Sequence, residues 1–129
     1  MFTIEQIKAA HSKVKSGADF PAYIQEIKEL GVVSYETFVA DGHADYYGAN
    51  NFKAGAPAKY AELPIKDSVD QQLFTVELKA HQQGKTDYKT FIEMCATAGV
   101  VKWSVKLHKM TCTYFDKAGN VVLEEVIPG

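Results

Sequence analysis

The sequence contains no arginine: its fourteen basic residues are all lysine and stand against sixteen acidic residues, for a net charge of −2. Arginine supplies the planar fork that holds phosphate, carboxylate or guanine through two hydrogen bonds. The lysines are spread over both halves of the chain, whereas nucleic-acid binding needs clustered positive charge. We therefore expect no nucleic-acid partner and no bidentate anion clamp.

Long apolar runs and paired cysteines are also missing. The apolar runs are too short to span a bilayer, and residues 1–6 have no signal-peptide pattern, so we expect a cytoplasmic protein with no membrane partner. Neither of the two cysteines, Cys95 and Cys112, belongs to a Cys-x-x-Cys pair, which favours free buried thiols. No phosphate loop, nucleophile elbow or dinucleotide motif occurs. We expect no cofactor, and whether the protein is an enzyme stays open.

Hydrophobic spacing and capping residues predict two helices followed by three strands in each half of the chain. In the first half, the helices run from Thr3 to near Gly17 and from Asp19 to Gly31, and the strands cover residues 33–39, 43–47 and 60–65, with a loop over 48–57. In the second half, the helices run from Ser68 to near Gly84 and from Asp87 to Gly99, and the strands cover residues 101–107, 111–115 and 121–127.

The two halves align without a gap when the second is moved back by 68 positions. Tyr35 then meets Trp103, and Tyr46 meets Tyr114. Shared helix caps alone would match aspartates and glycines, but they explain the aromatic matches less well. We predict an α+β fold: one domain over residues 1–129, built from two α-α-β-β-β repeats (about 3–66 and 68–128) related by a pseudo-two-fold axis. Helices pack on one face of the antiparallel sheets, and the seam between the repeats is a natural cleft.

Several ungapped stretches resemble a small bacterial family of unknown function that is usually labelled "phage envelope protein". These stretches are residues 11–21, 41–43, 81–88 and 110–119. The likeness covers essentially the whole chain. It implies no particular activity, cofactor or catalytic residue.

His43 and Asp45 are the candidate catalytic residues. They lie two positions apart on a predicted strand, so their side chains share a face, and a carboxylate beside an imidazole can orient it as a general base. The equivalent residues Thr111 and Thr113 lack this chemistry. The alternative is a solvated strand face after a turn.

Four aromatic residues are candidate ligand-binding residues. Tyr35 and Trp103 occupy equivalent strand positions, whereas Phe38 and Tyr47 alternate away and line a second face, either a ligand cleft or a subunit interface. His11 is expected in the core or seam, His81 near a helix end and His108 in a turn. Since no two histidines form a spaced ligand pair on one helix, we expect no metal site.

Three functions are consistent with these patterns. The favoured one is a non-catalytic module that binds a small molecule or self-associates, for example as a homodimer, with its site at the seam. The alternatives are a small enzyme using His43 with Asp45, and a phage-derived structural protein.

Overall fold

Two pairs of helices alternate with two sets of three strands along the chain. The structure is a computed structural model that describes residues 2–15 and 17–127. The helices are α1 (Ile4–His11), α2 (Phe20–Leu30), α3 (Gln71–Gln82) and α4 (Tyr88–Thr97), and the strands are β1 (Val32–Phe38), β2 (Ala44–Gly48), β3 (Lys53–Ala56), β4 (Lys102–Lys106), β5 (Thr111–Phe115) and β6 (Val121–Val126). Residue 128, the predicted end of the second repeat, lies outside the described residues, so this boundary and the single-domain prediction stay predictions.

All six strands form one sheet in the order β3-β2-β1-β4-β5-β6, with every neighbouring pair antiparallel. Burial alternates along the strands, because successive side chains point to opposite faces. Tyr35, Thr37, Trp103 and Val105 are buried on the face that carries the helices. The predicted α+β class is confirmed, with a single sheet joining the two halves.

The two central strands, β1 and β4, pair with each other in a register that is symmetric between the two halves. Glu36 lies opposite Ser104, its equivalent under the 68-residue shift. Tyr35 pairs with Tyr46 in the first half, as Trp103 pairs with Tyr114 in the second. This order and register are those that a duplication predicts. Descent of both halves from one copied unit stays a prediction.

The helix ends follow local capping chemistry. Thr3 and Gln6 form the predicted capping box at α1, and Asp87 caps α4 by accepting a hydrogen bond from the Thr90 amide. The predicted start of α3 at Ser68 is wrong, because Asp70 is the capping residue and accepts from the Leu73 amide at 3.0 Å. A side-chain acceptor at this position satisfies an amide with no partner inside the helix.

The first helix is shorter than predicted, since α1 ends at His11 rather than near Gly17. The Ser12 hydroxyl donates to the Ala9 carbonyl at 2.6 Å, which satisfies one of the carbonyls at the helix end. Asp19 accepts a hydrogen bond from the Lys15 amide at 2.9 Å. These contacts turn the chain back toward α2.

The third strand lies elsewhere than predicted. Residues 60–65 form no strand, and β3 falls in the stretch predicted as a loop, directly after the short 3-10 helix Ala49–Asn51. This tight connection brings the small residues of β3 alongside β2. The Tyr60 hydroxyl instead donates to the Val39 carbonyl at 2.7 Å, and the Leu63 amide donates to the Ala40 carbonyl. Residues 60–63 therefore pack against the β1–β2 turn.

Candidate functional site

A cavity of about 1110 Å³ lies between the helices and the buried face of the sheet. Both halves of the chain contribute to its wall. The first half supplies residues of α1, α2, β1, β2 and β3, including Ile7, His11, Tyr23, Tyr35, Thr37, Ala44, Tyr46 and Ala56. The second supplies residues of all its helices and strands, including Leu78, His81, Phe91, Trp103, Cys112, Tyr114 and Glu125. This volume suits a drug-sized organic molecule.

The cavity exists because the helices cover the outer strands and small residues cover part of the floor. Helix α1 contacts β3, and α3 contacts β6, so each helical pair extends toward the outer strand of its own half. Thr37, Ala44 and Ala56 lie on the buried face of the sheet and line the cavity. Their short side chains leave space above β1 and β2 that larger residues would fill.

Aromatic rings form most of the remaining floor. Tyr35 stacks on Tyr46 with ring centroids 5.2 Å apart, and Trp103 lies 6.1 Å from Tyr114. These are equivalent pairs in the two halves. Burial raises the pKa of Tyr35 and of Tyr114 well above its ordinary value, so both phenols remain protonated and can donate hydrogen bonds.

Two polar groups of the floor are available to a ligand. The Tyr35 hydroxyl and the Trp103 indole N–H make no hydrogen bond to another described residue. Every side-chain nitrogen or oxygen that is fully enclosed among the described residues has a hydrogen-bond partner. Because these two groups have no such partner, they are not fully enclosed. An apolar cavity with a few polar groups is typical of small-molecule sites.

A histidine from each half lines the cavity and packs on an aromatic ring of the following helix. His11 lies edge-on to Tyr23 at 5.2 Å, and His81 stacks on Phe91 at 4.2 Å. Tyr23 and Phe91 are equivalent under the 68-residue shift, and the histidines are equivalent under a shift of 70. Burial lowers the pKa of each histidine, and the charge of Lys59 lowers that of His11 further. The neutral imidazole is therefore favoured at both positions.

Cys112 lies on the cavity floor but is not activated for nucleophilic chemistry. Burial raises the pKa of its thiol to about 12, whereas a reactive cysteine needs a lowered pKa. Both Cys95 and Cys112 are free and buried, as predicted. Among the described residues, no three histidine, cysteine or carboxylate side chains are grouped to hold a metal ion.

The predicted pair of His43 and Asp45 is replaced by a different pair. The Nδ1 atom of His43 lies 2.5 Å from Asp41 Oδ1, and its ring stacks on Phe38 at 4.2 Å. Asp45 instead faces Lys53, with 3.8 Å between Oδ2 and Nζ. His43 directly precedes β2, and its ring lies on the helix-free face that Asp45 also faces, but its hydrogen-bonding carboxylate is Asp41, which is closer to it in the turn. A catalytic role for either residue stays a prediction.

The four predicted ligand-binding aromatics separate onto two faces of the sheet. Tyr35 and Trp103 line the cavity, whereas Phe38 and Tyr47 lie on the opposite, helix-free face. On that face the Nζ atom of Lys102 lies 5.7 Å from the centre of the Phe38 ring. The structure therefore does not bring the four residues together.

Several cavity residues were not identified as site residues from the sequence. Tyr46 and Tyr114 were recognised only as matching positions, and Tyr23 only as part of a helix face. Lys59 lies between the loop predicted over residues 48–57 and the strand predicted over 60–65, and no local pattern indicates a site there. The strand alternation indicated which faces are buried, but a buried face does not distinguish a filled core from a cavity.

Comparison with known families gives one match, over most of the chain. Residues 8–126 match the family described as "Protein of unknown function (DUF1398)". The chain belongs to this family. The DUF1398 match includes both cavity histidines, His11 and His81, and agrees with the predicted membership in a family of unknown function. No curated protein matches the chain. No helix within residues 2–15 and 17–127 is long and apolar enough to cross a membrane.

Proposed function

We propose that this DUF1398 protein binds a small organic molecule in the cavity between its two halves and performs no chemistry on it. The observation that carries the proposal is the cavity itself, about 1110 Å³ at the predicted seam, with an aromatic floor. A protein core is normally packed almost without voids. An unfilled space of this size is consistent with a site shaped for a ligand.

The chemistry of the wall favours binding over catalysis. The Cys112 thiol is protonated because its pKa is raised to about 12. The Nδ1 atom of His81 lies 3.0 Å from the Thr86 hydroxyl, and although the charge of Asp87 acts to raise its pKa, burial outweighs that effect and lowers the pKa overall. The donors of Tyr35 and Trp103 suit hydrogen bonding to a ligand that otherwise packs on aromatic rings.

Trp103 provides a direct test, because it is the single tryptophan of the chain and lines the cavity. The neutral probe phenylnaphthylamine absorbs where tryptophan emits. We expect it to bind the folded protein and to quench Trp103 by energy transfer. It should also raise the melting temperature, since a ligand that binds only the folded state stabilises that state.

The substitution Ala44→Leu tests the location, since Ala44 is 2% exposed and lines the cavity. A larger side chain there should weaken probe binding about tenfold or more, which corresponds to about 1.4 kcal/mol. Ala118→Leu is the matched control, because it makes the same chemical change in the exposed turn between β5 and β6. Equal binding to both variants, or no quenching of Trp103 in the unsubstituted protein, would contradict the proposal.

The other functions remain separate proposals. Acid–base catalysis at His43 would now use Asp41 as the orienting carboxylate, and Asp45 loses that role. Self-association would use the helix-free face with Phe38 and Tyr47, and sedimentation of a dimer would support it. The "phage envelope" label and a cytoplasmic location also remain predictions.

A further inference from the structure

The cavity wall carries an uneven distribution of charge. Lys8, His11, Lys15 and Lys59 line the cavity from the first half, and Lys8, His11 and Lys59 interact with one another. Lys8 and His11 lie one turn apart on α1, and Lys59 follows β3, the strand that α1 contacts. None of the three forms an ion pair with another described residue. Three solvent-exposed basic groups therefore lie together on the wall of an apolar cavity without a counterion from the described chain.

The three groups act on one another electrostatically. Burial and then the charge of Lys8 lower the pKa of Lys59, and burial and then the charge of Lys59 lower the pKa of His11. No carboxylate is among the groups that perturb either pKa. Like charges held together destabilise the charged forms, and an anion placed between them would relieve this repulsion.

Two carboxylates also line the cavity. Glu125 lines it and accepts a hydrogen bond from the Gln82 side chain at 2.9 Å. Asp87 also lines it, and its carboxylate caps α4 through the Thr90 amide at 2.8 Å. The residue equivalent to Lys59 under the 68-residue shift is the buried Ile127. The cavity thus has similar aromatic pairs in both halves, but the lysines that line it all come from the first half.

We propose that the ligand is an amphipathic organic anion, with an aromatic or aliphatic body over the aromatic floor and an anionic group between Lys8, His11 and Lys59. This inference rests on the proposed function, since it names the class of molecule that the cavity takes. The body would pack on Tyr35 and Trp103. The anion would take charge-assisted hydrogen bonds from the lysine ammonium groups, which are stronger than neutral ones.

Two probes that share one aromatic skeleton separate the inference from the proposed function. Anilinonaphthalene sulfonate carries a sulfonate, and phenylnaphthylamine does not. Energy transfer from Trp103 reports binding of each probe inside the cavity. We expect the sulfonate probe to bind at least about tenfold more tightly than the neutral one.

Substitution of the lysines tests the position of the anion. The double variant Lys8→Gln/Lys59→Gln should weaken the sulfonate probe about tenfold and leave the neutral probe unchanged. Lys79→Gln/Lys106→Gln is the matched control: it removes the same charge from exposed positions outside the cavity wall and should change neither affinity. Lys8→Arg/Lys59→Arg keeps the charge and should retain most of the preference for the sulfonate probe.

The outcomes distinguish the two claims. Equal affinity for both probes, or a preference for the sulfonate that both glutamine double variants lose equally, overturns the anion site and leaves the proposed function standing. Loss of both probes in Lys8→Gln/Lys59→Gln, with the fold intact by circular dichroism, also overturns it, because the lysines would then shape the cavity rather than hold an anion. Failure of both probes to quench Trp103 in the unsubstituted protein overturns the proposed function itself.

Discussion

Replacing Gly99 by alanine should destabilise the protein by an amount that the structure allows us to divide into two parts. Gly99 follows α4 with a φ of +84°, and an added Cβ would lie 2.5 Å from the Ser68 carbonyl oxygen and 3.1 Å from the Val69 Cα. The segment that joins the two halves is hydrogen-bonded here, with the Asp70 amide donating to the Ala98 carbonyl at 3.0 Å. The methyl group would therefore push backbone against backbone.

Gly119→Ala is the matched control for this prediction. Gly119 has nearly the same φ, +86°, but nothing lies within 4 Å of its added Cβ. A left-handed backbone costs a non-glycine residue about 1–2 kcal/mol, and this cost lowers the free energy of unfolding of both variants. Forced overpacking costs about 1–3 kcal/mol more, and this cost applies only to Gly99→Ala. We expect a total of about 2–5 kcal/mol for Gly99→Ala, against about 1–2 kcal/mol for Gly119→Ala.

Urea unfolding monitored by Trp103 fluorescence measures the difference. With a slope of about 1–3 kcal/mol per molar urea, the midpoint of Gly99→Ala should lie about 1 M below that of Gly119→Ala. Equal midpoints would refute the reasoning, because they would mean that the segment around Ser68 moves aside at no cost and does not fix the junction between the halves.

Three further predictions concern the cavity, two of its histidines and the two buried cysteines. Ala44→Leu should leave the free energy of unfolding unchanged or raise it by up to about 2 kcal/mol, since the added carbons enter open space; a loss above about 1 kcal/mol in chemical denaturation would indicate a filled core. Because the pKa values of His11 and His81 are lowered from 6.5, the unfolded chain binds more protons, and stability should fall as the pH drops through 6.5 toward the folded pKa values. The variant His11→Gln/His81→Gln should flatten that dependence, and an unchanged slope in urea titrations at several pH values would count against it. Cys95 and Cys112 should resist a thiol reagent at a pH of about 8 until urea is added, so rapid labelling of either thiol in the folded protein would show that its burial is incomplete.

The identity of most elements followed from the sequence because it depends on local chemistry. The capping box at Thr3 and the cap at Asp87 need only residues three positions away, and the change from helical to alternating spacing marks where the strands begin. The ends of α1 and α3 differ from the prediction, but the third strand is the element that was placed in the wrong segment. Its position depends on pairing with β2 across a tight turn, and a stretch of small residues carries no hydrophobic alternation.

The candidate site, like the fold, could be predicted from the sequence only in part. The 68-residue shift matched Tyr35 with Trp103 and Tyr46 with Tyr114, whereas the cross-strand pairs Tyr35–Tyr46 and Trp103–Tyr114 came from the structure. Two of the four predicted ligand-binding aromatics line the cavity. The His43–Asp45 pair did not form because each side chain has another partner, Asp41 in the turn for His43 and Lys53 on β3 for Asp45.

The sequence by itself determined the α+β class, the order of elements and which strand faces are buried, because these depend on residue type and short-range spacing. The cavity was decided only by the tertiary structure. Whether helices that cover a sheet meet over its centre or leave a space depends on distances between elements far apart in the chain. The gathering of Lys8, His11 and Lys59 on the wall of that space depends on the same distances, which no local pattern records.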